Sequence, residues 1–242
     1  MDDVGFLSSL AQYLQAEYSL SPYNTFSIGM SNGGEMSYML ACQANDIFKA
    51  IASVAGMIME EIYNTCESIS IPVFEINGTQ DDINWWGGDP NNIGGWGYYI
   101  GVLQVIDFWV QTNNCNQTLI DTFPDINSTD GSIVVAEKHT ACFNDNEVWL
   151  YKVVEGGHDW PGAWGNMDIN ASIEIWNFFS QFLLHFNLGD VNFAHIVNIT
   201  DMLLISDHIF NGAGYSYLAD YNQDNAVNLL DIIELGFAFS GY

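Results

Sequence analysis

The sequence predicts an α/β domain with helices on both faces of a mostly parallel sheet, followed by a small all-α module. Strand-length apolar runs alternate with helix-length amphipathic segments, which is typical of parallel sheets. One strand-like run, residues 25–28, leads through a glycine-rich turn into a helix-like segment, residues 35–42. Near the C-terminus, a loop and the apolar segment after it occur twice, 30 positions apart. We therefore divide the chain into residues 1–187 and residues 188–242.

The other predicted elements follow in order along the first domain. Apolar residues at helical spacing predict an opening helix whose core face consists of Phe6, Leu7, Leu10, Tyr13 and Leu14. Further helices are predicted at residues 100–112 and 173–186. Strands are predicted at residues 50–54, 71–76 and 148–154, with hairpin-like strands around residues 132–137. Residues 85–96 contain too many glycines for regular structure.

The composition indicates a folded domain without a membrane span and limits which molecules its charged surface could bind. The chain has 242 residues, 49% of them hydrophobic, which is enough for a sizeable core. No apolar run approaches the roughly 20 residues that a membrane span needs. Three Lys and Arg against 30 Asp and Glu give a formal net charge of −27. Such an acidic surface disfavours nucleic acid and anionic membranes as partners and suits Ca²⁺ better.

The pentapeptide Gly-Met-Ser-Asn-Gly at residues 29–33 predicts a nucleophilic serine, Ser31. In such a nucleophile elbow, a sharp turn between a strand and a helix exposes the serine hydroxyl. Glycines on both sides permit the strained backbone that the turn requires. The N–H of the next residue, Asn32, is then one donor of an oxyanion hole.

A base and an acid are expected later in the chain, because this kind of elbow is followed first by the acid and then by the histidine. His158 follows the strand predicted at residues 148–154 and two glycines, where open α/β sheets place functional residues. The other histidines lie in an amphipathic run, a strand-like stretch and the repeated region. Asp81 and Asp82 follow the strand predicted at residues 71–76, and either could orient the imidazole. Position favours Asp81, and an Asp-rich surface turn is the alternative.

The four cysteines allow three pairings. Chain proximity favours Cys42 with Cys66 and Cys115 with Cys142, and the absence of a C-x-x-C motif disfavours metal or redox use. Paired cysteines would indicate an extracytoplasmic compartment. Buried free thiols are the alternative.

Several tryptophans fall in loops that we expect to surround these residues. Their flat faces suit an aromatic ring or a sugar. Trp160, Trp85 and Trp86 are therefore candidates for substrate binding, and ordinary core packing is the alternative.

Four segments together resemble the polyhydroxybutyrate depolymerase and feruloyl esterase group, which are secreted carboxylesterases with the α/β-hydrolase fold. They are residues 2–6, 29–34, 77–81 and 156–162, the last reading Gly-Gly-His-Asp-Trp-Pro-Gly. The resemblance covers about residues 2–185. It implies Ser31 as nucleophile, Asp81 as acid and His158 as base with no catalytic cofactor, and it supports both cysteine pairings. The group usually has histidine where this chain has Asn77, a change that we expect to alter local hydrogen bonding more than the chemistry.

The group also places several strands before its elbow, whereas Ser31 lies close to the start of this chain. Those strands normally come with a His-Gly loop that gives the second oxyanion donor. A basic and apolar signal segment is not visible either. We therefore expect this chain to be the C-terminal part of a longer secreted enzyme. The piece alone should be weakly active, because losing one oxyanion donor costs about 100- to 1,000-fold in rate.

Residues 190–201 and 220–231 have the ligand spacing of an EF-hand calcium loop. In the first loop, Ala194 replaces the ligand at position 5, which predicts weaker binding there. An Asn- and Asp-rich turn is the alternative for both loops. The predicted ligands, at loop positions 1, 3, 9 and 12 and in the second loop also 5, are Asp190, Asn192, Asn198 and Asp201, then Asp220, Asn222, Asp224, Asn228 and Asp231.

The duplicated loop and helix are similar to type I dockerin modules, with Asp in place of the usual Glu at both position 12s. The resemblance implies that each loop binds Ca²⁺ and that the module docks onto a cohesin. We expect Ca²⁺ to organise so small a module. The faces before the two position 12s differ, so the docking partner stays open.

Together these features predict a secreted serine carboxylesterase of the feruloyl or acetylxylan esterase type, active in polysaccharide breakdown and carrying a calcium-dependent docking module. Its substrate would be an ester-bearing polysaccharide. A polyhydroxybutyrate depolymerase, acting on a polyester, is the alternative enzyme. A non-catalytic extracellular scaffold, in which only the calcium module functions, is the alternative from another class.

Overall fold

The computed structural model describes residues 2–18, 20–67, 70–212 and 216–240. Contacts divide these residues into two compact units. The second unit includes the segment from Gly5 to Asn24, which the sequence analysis assigned to the first domain. The domain boundary after residue 187 stays a prediction. The first unit lies within Met1–Val4 and Thr25–Leu183, and the second within Gly5–Asn24 and Leu184–Tyr242.

Strands and helices alternate along the first unit, as the sequence predicts. The strands of the described residues are β1 (Phe26–Met30), β2 (Ala50–Val54), β3 (Ile58–Met59), β4 (Val73–Gly78), β5 (Gly88–Asp89), β6 (Tyr99–Ile100), β7 (Gln117–Thr122), β8 (Ile133–Thr140) and β9 (Val148–Val154). The α-helices of both units are α1 (Asp3–Glu17), α2 (Asn32–Gln43), α3 (Glu60–Thr65), α4 (Val102–Thr112), α5 (Ala171–Phe179), α6 (Ile199–Asn211) and α7 (Leu229–Ser240), with 3₁₀ turns at Phe143–Asp145 and Ser180–Phe182.

Within the described residues, six strands form a mixed sheet in the order β1-β2-β4-β9-β8-β7. The first four are parallel to one another, with Met30 opposite Val54 and Ile76 opposite Tyr151. Strands β8 and β9 are antiparallel, as are β7 and β8. The mainly parallel α/β sheet of the prediction is therefore confirmed, and it is consistent with an α/β-hydrolase. Strands β3, β6 and β5 form a separate small sheet.

Hydrophobic cores cover both faces of this sheet, because alternate residues of a strand point to opposite sides. On one face, Phe74 and Trp149 pack with Phe178 of α5. On the other face, neighbouring strand residues pack with α2 and α4, including the fully buried Trp109. Burial on both faces explains why the parallel strands are almost continuously apolar in sequence.

Two sequence predictions about helices need correction. Helix α1 forms, but none of its residues is buried, and Phe6 is 63% exposed. Helical spacing therefore predicted the helix and its apolar face, but this face is not part of the core. The helix predicted at residues 173–186 ends its α-helical part at Phe179, because Ser180–Phe182 form a 3₁₀ turn and Leu183 is extended.

Both predicted disulfides are confirmed, so the alternative of free thiols is wrong. Cys42, on α2, pairs with Cys66, which follows α3. Cys115 and Cys142 join the segments before β7 and after β8. Each bond closes a loop of moderate length, which limits the freedom of the unfolded chain.

The second unit is built from α1, α6 and α7 and the loops before the last two. Its small core consists of Ile205, Ala219 and Leu235 with partly buried apolar neighbours. Asn24 and Leu184 exchange two hydrogen bonds across a long sequence separation. In the part of the chain that the structure describes, no helix is both long and apolar enough to span a bilayer.

Replacing Phe178 by Ala should lower the free energy of unfolding by about 3–5 kcal/mol, because a fully buried ring is removed from the core against Phe74 and Trp149. Denaturant unfolding of the purified chain measures the change. Trp176→Ala, on the same helix but 58% exposed, is the matched control and should cost about 1 kcal/mol or less. Equal losses in the two variants would contradict this packing.

Candidate active site

Ser31 occupies a sharp turn between β1 and α2. Its backbone has φ 54° and ψ −121°, a conformation that is costly for a residue with a side chain. The Ser31 N–H donates to the Val54 carbonyl, which ties the turn to the end of β2. Helix α2 begins at the next residue, Asn32, so the N–H of Asn32 belongs to the positive end of the helix. This is the backbone that the G-x-S-x-G pattern predicts.

Gly29 of the pentapeptide and Gly34, which follows it, have a steric role. A Cβ on Gly29 would collide with the main chain of Gly33, which passes directly over it, whereas a Cβ on Gly33 would meet open space. A Cβ on Gly34 would collide with the Ser53 side chain and the Gly56 backbone. The turn at Ser31 is therefore possible only because β1 and the first turn of α2 approach each other without side chains between them.

His158 and Asp81 form a direct contact: the imidazole Nδ1 lies 2.8 Å from Asp81 Oδ2. The Asp81 side chain is fully buried, and its Oδ1 accepts hydrogen bonds from the N–H groups of Ile83 and Asn84. These bonds fix the carboxylate so that one oxygen is left for the imidazole. The His158 side chain is 19% exposed, so the ring is held by Asp81 yet remains accessible.

Of the two aspartates, the structure joins only Asp81 to His158. Asp82 is exposed, and its main-chain oxygen accepts a hydrogen bond from the Trp85 indole. Among the described hydrogen bonds, none connects the Asp82 carboxylate to the imidazole. The imidazole therefore contacts Asp81 and not Asp82, while the role of Asp81 as the acid stays a prediction.

The elbow and the acid loop are both tied to the end of β2, one residue apart. Ser31 bonds the Val54 carbonyl, and the Asn84 side chain donates to the carbonyl of Ala55 at 2.6 Å. Because β1, β4 and β9 are parallel to β2 in one sheet, the segments carrying Ser31, Asp81 and His158 leave the same edge.

The predicted contact between Ser31 and His158 is not among the hydrogen bonds of the described residues, where the Ser31 hydroxyl has no partner. The pair of His158 and Asp81 is thus formed, while the role of Ser31 stays a prediction. Catalytic hydrogen bonds are often long or poorly aligned before a substrate binds.

The three tryptophans proposed for substrate binding are partly buried. Trp86 and Trp160 each pack against a hydrophobic core, and the Trp160 indole also donates to Ser172. The Trp85 indole donates to the main-chain oxygen of Asp82. These contacts suit a structural role as well, so substrate binding by these side chains stays a prediction.

The matches to known proteins are hydrolases. The model of the prolyl oligopeptidase family (Peptidase_S9) matches residues 7–90. "Feruloyl esterase B" of Piromyces equi is 25% identical over 189 residues, which are 76% of this chain and 32% of that protein. "Probable feruloyl esterase C" of Aspergillus clavatus is 29% identical over 125 residues, 51% of this chain and 40% of that protein. The chain thus spans well under half the length of these curated relatives. Together with the sheet, the matches support an α/β-hydrolase of the esterase kind.

A buried carboxyl group beside the elbow was missed by the sequence analysis. Glu75, on β4, is 2% exposed, and the hydroxyl of Tyr38, on α2, donates to its Oε2 at 2.6 Å. The Asn77 amide donates to Glu75 Oε1 and to the Gly56 carbonyl. Burial raises the pKa of Glu75 to about 8, although these hydrogen bonds oppose the rise. A charged residue inside an otherwise apolar strand was the available sequence signal.

Asn77 stands where the resembling group usually has histidine, and the structure shows what it does. Its side chain is buried and links Glu75 to the loop that follows β2. Asn77 therefore takes part in the packing beneath the elbow and not in the contact between Asp81 and His158. This is the change in local hydrogen bonding that the sequence predicts for this position.

In the two calcium-like loops of the second unit, the aspartates at positions 1 and 12 accept the same hydrogen bonds. Asp190 accepts from the N–H groups at loop positions 5 and 6 through its two oxygens, and Asp220 does so in the second loop. The aspartates at position 12, Asp201 and Asp231, accept from positions 3 and 9. All four aspartates are at most 1% exposed.

The acidic side chains of these loops do not by themselves form a metal-binding cluster. Among the described residues, no three His, Cys, Asp or Glu side chains converge as a metal-binding group. Further ligands would have to be amide or main-chain oxygens, which Ca²⁺ accepts readily. The three Lys residues lie in the first unit, at positions 49, 138 and 152, and the sequence has no Arg.

The pH dependence of the free energy of unfolding should reveal that Glu75 is buried. Folding raises its pKa from 4.5 to about 8, so its contribution to stability is complete below pH 4.5 and is lost as the pH rises to about 8. Glu75→Gln cannot ionise. As the pH rises from 4.5 to about 8, the free energy of unfolding of this variant should therefore increase relative to that of the parent chain, by at most about 1.4 kcal/mol per pH unit. Urea unfolding at pH 5, 6, 7 and 8 measures the difference.

Glu67→Gln, an exposed substitution in the same unit, is the control and should show no such trend. A difference between Glu75→Gln and the parent that stays constant from pH 5 to pH 8 would show that Glu75 does not hold its proton in the folded chain.

Proposed function

We propose that this protein is a secreted serine carboxylesterase of the feruloyl or acetylxylan esterase type, acting on ester-bearing polysaccharides. Ser31, Asp81 and His158 would be its triad. The observation that carries the proposal is the hydrogen bond between His158 Nδ1 and the buried Asp81, at the sheet edge from which the strained Ser31 turn leaves. The two disulfides support a location outside the reducing cytoplasm.

The chemistry would follow two steps. In the first, Ser31 Oγ attacks the ester carbonyl carbon while His158 Nε2 takes the hydroxyl proton and returns it to the leaving alcohol. Asp81 holds the imidazole in the tautomer with its proton on Nδ1 and stabilises the imidazolium. The N–H of Asn32 donates to the oxyanion. In the second step, water deprotonated by His158 attacks the acyl-enzyme, and Ser31 recovers its proton.

The names of the relatives favour an aromatic acyl ester over a polyester, so polyhydroxybutyrate remains the second choice of substrate. Trp160, Trp85 and Trp86 are our candidates for contacts with the aromatic or sugar part. A non-catalytic scaffold is disfavoured because a strained serine turn and a buried acid–imidazole pair have no evident structural purpose together.

We also propose that residues 188–242 form a dockerin-like module that binds Ca²⁺ in both loops. The residues fit the ion, because each loop buries two aspartates at positions where the calcium-loop spacing places ligands. The ligands would come from Asp190, Asn192, Asn198 and Asp201, and from Asp220, Asn222, Asp224, Asn228 and Asp231. The helices after the loops expose apolar residues, including Leu203 and Ile233, which a cohesin-like protein could cover.

Removal of triad residues should abolish esterase activity while the chain stays folded. Ser31→Ala should lower kcat/KM for methyl ferulate by at least about 1,000-fold, and Asp81→Asn by about 10,000-fold, because the imidazole then loses its orienting carboxylate. The neighbouring Asp82→Asn is the matched control and should retain nearly full activity. Activity unaffected by Ser31→Ala, or no labelling of Ser31 by a fluorophosphonate, would refute the proposal.

Calcium titration should reveal two sites on the purified chain. Asp231→Asn should weaken Ca²⁺ binding at the tighter site by at least about tenfold, and Asp201→Asn should do so at the weaker site. Each change removes a buried charged ligand. Calorimetry measures both. Asp207→Asn, exposed on α6, is the control and should bind like the parent. No heat of binding, together with a melting temperature that chelator does not change, would contradict this assignment.

A further inference from the structure

Two neighbouring cavities lie beside the serine turn, and apart from Asn32 their lining residues have no role in the proposed mechanism. The first, of about 350 Å³, is lined by residues that include Asn32, Glu35, Met36, Met57 and Trp96. The second, of about 470 Å³, is lined by residues that include Met59, Glu60, Glu61 and Tyr98. Glu35 and Met39 line both cavities, so the two adjoin and are treated together as a groove whose lining includes Asn32, the proposed oxyanion donor. We call this the elbow groove.

Glu35 occupies the junction of the elbow groove. Its N–H donates to the carbonyl of Ser31 at 3.1 Å, so it lies one helical turn beyond the proposed nucleophile. The side chain is partly buried. Asp3, Glu60 and Glu61 add further carboxylates, and none of the described residues that line the groove is Lys, Arg or His. The groove is therefore lined by several carboxylates and by no described positive group, and burial raises the pKa of Glu35.

The remaining lining is uncharged and adaptable. Methionine side chains are flexible and polarisable and make favourable contacts with aromatic rings. Trp96 and Tyr98 at the edge of the groove are 57% and 52% exposed. Such a surface accepts a neutral apolar acyl group, whereas the carboxylates beside it repel an anion of the same shape.

We propose that Glu35 is a specificity-determining residue that makes the elbow groove bind the uncharged ester in preference to the anionic acid released from it. The inference rests on the proposed function, because it takes Ser31 as the point where the acid forms. Hydrolysis adds the hydroxyl of water to the acyl carbon, and the alcohol leaves with a proton. The carboxylic acid then ionises at neutral pH. The same acyl group thus arrives neutral and ends as an anion beside Glu35.

The size of the effect follows from Coulomb's law. Two negative charges roughly 6–8 Å apart in a partly exposed groove repel each other enough to weaken binding of the anion by about 3- to 10-fold. A purely structural role for Glu35 is the competing explanation, since a carboxylate in the first turn stabilises a helix. That role predicts a loss of stability on substitution but no change in the choice between neutral and anionic ligands.

The experiment compares the binding of two ligands of nearly equal shape, 4-hydroxycinnamamide and the 4-hydroxycinnamate anion, by calorimetry at pH 7 and low salt. Neither ligand is an ester, so the measurement needs no turnover. The parent chain should bind the amide at least about tenfold more tightly than the anion. In Glu35→Gln this ratio should fall about 3- to 10-fold, and in Glu35→Asp, which keeps the charge, it should stay near the parent value.

Asp125→Asn is the matched control, because it removes one negative charge from an exposed residue between β7 and β8. It should leave the ratio unchanged. An unchanged ratio in Glu35→Gln, an equal fall in Asp125→Asn, or a parent chain that fails to prefer the amide would each overturn the inference. Failure of the proposed function would appear instead as no effect of Ser31→Ala on ester turnover, which this binding measurement does not involve.

Discussion

The parallel alignment of β1, β2, β4 and β9 is the constraint on which the candidate active site depends. Parallel strands end at the same edge of a sheet, so three segments far apart in sequence are delivered to one place. The end of β2 then connects two of them, the Ser31 turn and the Asp81 loop, because it accepts hydrogen bonds from both Ser31 and Asn84. A shift of one residue in the pairing of β2 would displace both connections, since successive residues of a strand point to opposite faces.

Two buried carboxyl groups near this edge have different surroundings. Asp81 accepts two backbone N–H bonds and contacts an imidazole, a group that can carry positive charge. Glu75 accepts hydrogen bonds from a tyrosine hydroxyl and an amide, and desolvation raises its pKa to about 8. The first arrangement suits an orienting carboxylate. The second suits a neutral group that joins α2, through Tyr38, to the strand that leads to the acid loop.

Much of the fold could be predicted from sequence because it depends on local patterns. Strand β9 has the predicted bounds, and the glycines around Ser31 indicated a turn that steric contacts require. What failed depends on tertiary contacts. The apolar face of α1 was visible, but its exposure was not. The elbow groove was missed because Glu35 and Glu60 look like ordinary surface charges in so acidic a chain, and only folding brings them to one groove.

The two loops of the second unit share the hydrogen bonds of the aspartates at positions 1 and 12 but differ in the side chain at position 5. Position 5 is Ala194 in one loop and Asp224 in the other, yet both N–H groups donate to the aspartate at position 1. Position 6 has positive φ in both loops, 60° at His195 and 67° at Asn225. Backbone shape is therefore set by the aspartates at positions 1 and 12, which the loops share. The side chain at position 5 differs, because Asp224 also accepts from the N–H of Ala226 and Ala194 cannot, so the loops can differ in ion affinity while they share the bonds to positions 1 and 12.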